Sequence, residues 1–274
     1  MGFFLTRDNL SLFYTLRTAS DPKASVVFLH GVGEHIGRYE PAFHALATQG
    51  YNCYGFDQRG FGRSEGERGH VQIFQHYVDD LIEFIDQIVA KDAVQPVFLF
   101  GHSMGAIILL TYALQHASKQ KGLLVFSCPL QLASWFANYG GAFAGMLAKI
   151  APRFKIPSLI DLAELTDNPY VIDNFEHDPY RVDKVTIGWL HQFTLARKNI
   201  GHNAGHILLP TLICHGGNDQ IAAISGAQSL YERLGSEDKT LAIYTGFKHE
   251  LLNHQPDESS QVLRDTIEWL NKHS

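Results

Sequence analysis

The chain has 274 residues, 28 acidic side chains against 22 Lys and Arg, a formal net charge of −6, and 45% apolar residues. Such a length supports one large core, or a core with an insertion. The charge gives no general attraction for nucleic acid, and no Lys/Arg run reverses this locally. Cys53, Cys128 and Cys214 are far apart and in no metal-ligand spacing, so they read as buried thiols in a reducing compartment. Residues 1–10 lack the apolar core of a secretory signal, and a cytoplasmic address, extended to a peripheral membrane one, is expected.

In chain order, 10–17 alternates with period two after a turn at Asp8-Asn9 and predicts an antiparallel opening hairpin. The continuous apolar run 26–29 predicts a strand buried on both faces. A helix over 41–49 ends at Gly50, and 52–56 is the next strand. Phe74, Tyr77, Leu81, Phe84, Ile85 and Ile88 fall on one face of a helix over 74–89. A short strand over 97–100 and a helix over 106–114 follow, with Gly101-His102-Ser103-Met104-Gly105 between them. Then come a strand over 122–126, a helix-rich stretch to about 207, a strand over 211–215, a helix over 225–234, a strand over 239–244 and a helix over 258–272. Strands alternating with helices imply a mostly parallel sheet covered on both faces, interrupted by an insertion. Segment 130–148 carries no charge, but its Gln131, Asn138 and three glycines argue for a lid helix or helix pair over a membrane span.

The pattern G-x-S-x-G in a strand–turn–helix setting is a nucleophile elbow. A serine on so sharp a turn needs neighbours without Cβ atoms. It also stands at a helix N-terminus, where free N–H groups can hold developing negative charge. A serine nucleophile requires a base and an acid to orient that base, and on this fold they follow in the order Ser, Asp or Glu, His. Asp219, after the strand at 211–215, suits the acid. His249, after the strand at 239–244, suits the base better than His254, which is further from the strand end, or His215, which is too close. The predicted catalytic set is Ser103, Asp219 and His249. The predicted oxyanion hole is the N–H groups of Val32, in the loop after 26–29, and Met104. Asp57, at a strand end, reads as a structural tie for the Arg-Gly turn that follows it.

At these residues the chain resembles the monoacylglycerol lipase and lysophospholipase branch of the α/β-hydrolases. His30-Gly31-Val32-Gly33-Glu34-His35-Ile36-Gly37-Arg38-Tyr39-Glu40 is similar to that branch's H-G-x-G-E-H-x-x-R-Y-E. Asp57-Gln58-Arg59-Gly60-Phe61-Gly62-Arg63-Ser64-Glu65-Gly66 is similar to D-x-R-G-H-G-x-S-x-G, and His249-Glu250-Leu251-Leu252-Asn253 completes the set. The resemblance implies an eight-stranded α/β-hydrolase core over 1–128 and 208–274, with a helical cap over 129–207 inserted after the sixth strand. It implies hydrolysis of esters of monoacyl lipids through an acyl-enzyme, with no metal and no cofactor, and it implies Glu34 and Arg38 as substrate-binding residues on the alcohol side, while the two charges read equally as a pair with each other across the loop. Partners would be a small lipid ester and, transiently, a membrane surface met by the cap. Phe61 stands where the family has histidine, and His254 where it commonly has an acid. Trp135, Phe136, Tyr139, Phe143, Met146 and Leu147 stand at helical spacing in the cap, suited to core packing, an acyl tunnel or lipid contact.

Two alternatives stay open. The same triad serves thioesterases and serine aminopeptidases, with Glu164, Asp173 and Glu176 as candidate anchors for a substrate amine. A non-catalytic binding relative is the third reading.

Overall fold

The computed structural model describes residues 1–116, 120–133, 145–158 and 160–274. Eight strands form one sheet: β1 (Gly2–Leu5), β2 (Ser11–Arg17), β3 (Ala24–Leu29), β4 (Tyr51–Phe56), β5 (Val97–His102), β6 (Gly122–Phe126), β9 (Thr211–Gly216) and β10 (Lys239–Tyr244). Their spatial order is β1-β2-β4-β3-β5-β6-β9-β10, and every pairing from β4 to β10 is parallel. β1 and β2 form the antiparallel hairpin expected at the start, with Asn9 turning the chain at φ 63°.

Strand periodicity sorts the apolar runs into two cores. Val27, Leu29, Leu99, Leu123, Val125 and Ile213 face one side. Helices α2 (Gln75–Phe84), α3 (Met104–His116), α5 (Ile187–Asn203) and α6 (Ile224–Arg233) add their apolar stripes there. Val26, Phe28, Phe98, Phe100, Leu124 and Phe126 face the other side, against α1 (Glu40–Thr48) and α7 (Pro256–His273). Full burial of each such side chain contributes about 1.5–3 kcal/mol, so these alternating runs fix the register. Beyond Phe84, α2 continues through a π-helical turn, Ile85–Val89, to Asp92, which a 3.6-residue period does not foretell.

The insertion separates β6 from β9, although these two strands are hydrogen-bonded neighbours. Its described part holds helical backbone at 145–150, a hairpin of β7 (Lys155–Pro157) with β8 (Lys184–Thr186), the helix α4 (Pro169–Glu176), and α5. Phe193, Ala196 and Ile200 of α5, then Ala204 and Ile207, join the sheet-side core. By packing, the last third of the proposed cap therefore belongs to the core on that face of the sheet, where α5 lies against α3. Trp135, Phe136, Tyr139 and Phe143 lie outside the described residues. All three cysteines are free and buried. Burial pushes the Cys128 thiol up to about 12, which keeps it un-ionised and inert. No described helix is long and apolar enough to cross a membrane.

Candidate active site

The parallel strands end on one side of the sheet, and loops at carboxyl ends of such strands converge there. Ser103 follows β5 at φ 53°, a backbone region costly for a residue with a Cβ. The turn closes only because its flanks are glycines. A Cβ on Gly101 would stand 2.5 Å from the Gly105 carbonyl oxygen, and one on Gly105 would fall inside the Leu29 carbonyl. Gly105→Ala is therefore expected to destabilise the protein by about 3 kcal/mol, read as a lowered urea midpoint. A midpoint equal to wild type would contradict the turn geometry.

Asp219 lies three residues beyond β9. Its Oδ1 accepts the amides of Ile221 and Ala222, both at 2.8 Å, and its Oδ2 accepts His249 Nδ1–H at 2.7 Å. Burial raises the pKa of this carboxyl, but His249 and the bonds it receives outweigh burial and hold it below the usual carboxylate value. Since Nδ1 carries the proton given to Asp219, Nε2 of His249 is left as the basic nitrogen. Ser103 and His249 line one cavity with Gly31, Val32 and Glu34. The amides of Val32 and Met104 make no hydrogen bond among the described residues. Met104 opens α3, where such amides have no helical partner. His215 is bonded to the Ala222 carbonyl, stands 3.6 Å from Asp219 Oδ2 and is not among the described residues that line that cavity. His254 Nε2 accepts the amide of Lys248, so its role is to hold the loop that carries His249.

The predicted substrate residues Glu34 and Arg38 are placed differently. Glu34 lines the cavity; Arg38 does not. Glu34 Oε1 accepts Gly31 N–H at 2.5 Å, Tyr39 O–H at 2.9 Å and His102 Nδ1–H at 3.0 Å. Arg38 donates to Glu34 at 3.0 Å and makes a two-pronged pair with Glu250 at 2.6 and 2.7 Å, its guanidinium stacked on Phe175 at 4.0 Å. The loop of Val32 is thereby tied to the residue next to His249.

Two contributors escape a motif reading. Ser127, at φ 44° after β6, donates to the His249 carbonyl at 2.6 Å. His102 bonds Glu34 through Nδ1 and the same His249 carbonyl through Nε2 at 3.3 Å. Both partners are acceptors, an arrangement that favours the doubly protonated ring of His102. Burial opposes that charge, but Glu34 outweighs it and raises the pKa above 6.5. A raised folded pKa contributes stability that is complete below pH 6.5 and is lost as pH rises through the folded value. The stability difference between wild type and His102→Gln is expected to shrink over that alkaline interval, measured by urea unfolding. A difference that grows with pH would refute the charged assignment.

Asp57 ties its own turn: Oδ1 accepts Ile36 N–H and Oδ2 accepts Arg63 N–H, each at 2.7 Å. Phe61 is buried against His30, its ring 6.2 Å away, and does not line the cavity. Glu164, Asp173 and Glu176 do not line it either. Among the described residues no group of His, Cys, Asp and Glu is arranged to hold a metal.

Comparison with known proteins agrees with this architecture. The chain is 31% identical to mouse monoglyceride lipase over 262 residues, covering 93% of this chain and 84% of that one. It is 28% identical to the monoacylglycerol lipase of Mycolicibacterium smegmatis, covering 93% and 90%. Two similar solved structures are the monoacylglycerol lipase of Paleococcus ferrophilus (TM-score 0.85, 29% identity, 96% and 99% covered) and a soluble variant of Saccharomyces cerevisiae monoglyceride lipase in complex with a substrate analogue (0.90, 26%, 99% and 94%). Residues 20–256 match the family described as Serine aminopeptidase, S33 (Hydrolase_4). With its eight-stranded sheet and loop-borne serine, aspartate and histidine, the chain belongs to this family of α/β-hydrolases.

Proposed function

We propose that the protein is a serine hydrolase that cleaves carboxylic esters of monoacyl lipids through an acyl-enzyme. One observation carries the reading: the Asp219–His249 pair, 2.7 Å apart, opens on the cavity that Ser103 enters from a strained turn. His249 Nε2 takes the Ser103 proton as Oγ attacks the ester carbonyl, and the amides of Val32 and Met104 receive the oxyanion. The alcohol leaves with that proton. A water, deprotonated by the same nitrogen, then attacks the acyl-serine and frees the fatty acid. Glu34 forms the alcohol-side wall; Arg38 acts through Glu34 and Glu250.

The names of the relatives support a monoacylglycerol-like substrate. Apolar side chains on the cavity wall, including Ile160, Leu162, Leu165 and Val182, support an acyl chain. An amine-anchoring peptidase fits less well. Both carboxylates beside the cavity, Glu34 and Glu250, are already paired by Arg38, and Arg181 adds positive charge to the wall. The test is a panel of monoacylglycerols, a lysophospholipid, an acyl thioester and an aminoacyl anilide with a free amine. Fastest turnover of a monoacyl ester is expected, and preference for the free-amine anilide would overturn the substrate assignment.

The described cap supports surface contact with lipid. Met146 and Ile150, four residues apart on one helix face, and Phe154 beyond them are all more than half exposed. Sedimentation with phosphatidylcholine vesicles should capture wild type, and Ile150→Asp should reduce capture several-fold. Equal capture would dismiss this surface.

A further inference from the structure

Helix α5 faces the core with the stripe Phe193, Ala196 and Ile200, spaced as an amphipathic helix requires. Arg197 occupies that stripe too, where the pattern calls for an apolar residue. It is only 7% exposed. A buried guanidinium normally meets a carboxylate. Among the described residues this one meets none. One arm donates to the Leu130 carbonyl at 3.0 Å, and the Phe193 ring centre is 5.7 Å away. Nε is buried with no hydrogen-bond partner. Burial draws the group down to about 10, with only the Cys128 thiol opposing. Segment 130–148 contributes no acid, because its sequence has none.

Arg197 lines a groove of about 280 Å³ between α5 and α6, close to the smallest volumes typical of small-molecule sites. Lys198, His202 and Arg233 line it as well, and among the described residues no carboxylate does. None of these residues forms an ion pair among the described residues; Arg233 spends its donors on Ser229 and the Gly201 carbonyl. Glu232, the neighbouring acid on α6, is exposed and pairs with none of them. The groove thus presents three permanent positive charges and one histidine without a counter-charge. A guanidinium that lines a groove and has no carboxylate partner keeps donors that suit the oxygens of an oxyanion.

We propose that this groove is a binding site for a phosphate group, separate from the cavity of Ser103. Three cations favour a dianion over a carboxylate, since they leave more than one charge to be met. Its walls also touch the region of the triad. Gln131, which lines the groove, bonds Ser225, and its carbonyl accepts the amide of Ala223, next to the amides that hold Asp219.

The site is tested with inorganic phosphate and with hexyl phosphate, at constant ionic strength set by chloride. Titration calorimetry and the thermal midpoint are followed without any ester present, so the result is independent of the hydrolytic reading. Wild type should bind phosphate and gain thermal midpoint, because a ligand that binds only the folded state stabilises it. Lys198→Gln with Arg233→Gln, two exposed changes that spare the core, should weaken binding at least tenfold. Arg197→Met should do the same where it folds. Hexyl phosphate binding more tightly than phosphate assigns the site to an organic or lipid phosphate; equal affinity assigns it to the free ion. No binding by wild type, the same shift from chloride, or unchanged affinity in the double variant would overturn the proposal.

Discussion

Ser103→Ala is expected to lower kcat on a p-nitrophenyl ester by about a million-fold, by analogy with the removal of the nucleophile from a serine protease. The covalent path vanishes with the hydroxyl, while Val32 and Met104 still hold the oxyanion. Some catalysis over water, roughly a thousand-fold, should therefore remain. Alanine keeps the Cβ that the turn already tolerates at φ 53°, so folding should be little changed. A fluorophosphonate probe should label wild type at Ser103 and leave the variant untouched. Near-normal hydrolysis by the variant, or labelling at another serine, would remove the acyl-enzyme from consideration. Absence of labelling in folded wild type would favour a binding protein without catalysis.

Asp219→Asn should cost about ten thousand-fold in kcat. The reason lies in which atoms donate. Oδ1 of Asp219 receives two amides, so the asparagine oxygen must stay there. Its NH₂ then faces His249 Nδ1, which can only accept it. The histidine proton is driven to Nε2, the nitrogen that must take the proton from Ser103. Geometry survives and the tautomer is wrong. The burial of this carboxyl is tolerable only because His249 holds it ionised, with its pKa below the ordinary value. Asp219 therefore stays charged well below neutral pH, and the loss in the variant should be of constant size between pH 7 and 9. A loss smaller than tenfold would show that another group orients His249.

The sheet was largely legible because its central strands are continuous apolar runs. The strands expected at 122–126 and 239–244 match β6 and β10, and Gly50 ends α1 at φ 87° as a helix-terminating glycine should. The β7–β8 hairpin was not legible. Its strands, Lys-Ile-Pro and Lys-Val-Thr, are three residues each and too short to show a period. The acid and base candidates could be read from their distance to strand ends, because a loop of three or four residues leaves few places for a side chain to go. Their neighbours could not. His102 and Glu250 each adjoin a motif residue, yet their roles depend on Glu34 and on Arg38, the latter 212 positions away from Glu250. Arg38 read equally as a partner of Glu34 and as a substrate contact; the structure shows that pair and adds Glu250, whose place nothing in the linear pattern marks.

The Arg38 clamp joins two segments to which the proposed mechanism gives opposite halves of one reaction, charge capture at one end and proton transfer at the other. Because Glu250 follows His249 directly, a shift of the imidazole pulls on the chain that presents the Val32 amide. Damage to either half should then spread to both, so that the protein passes from competent to incompetent as a unit, with few half-working conformations between.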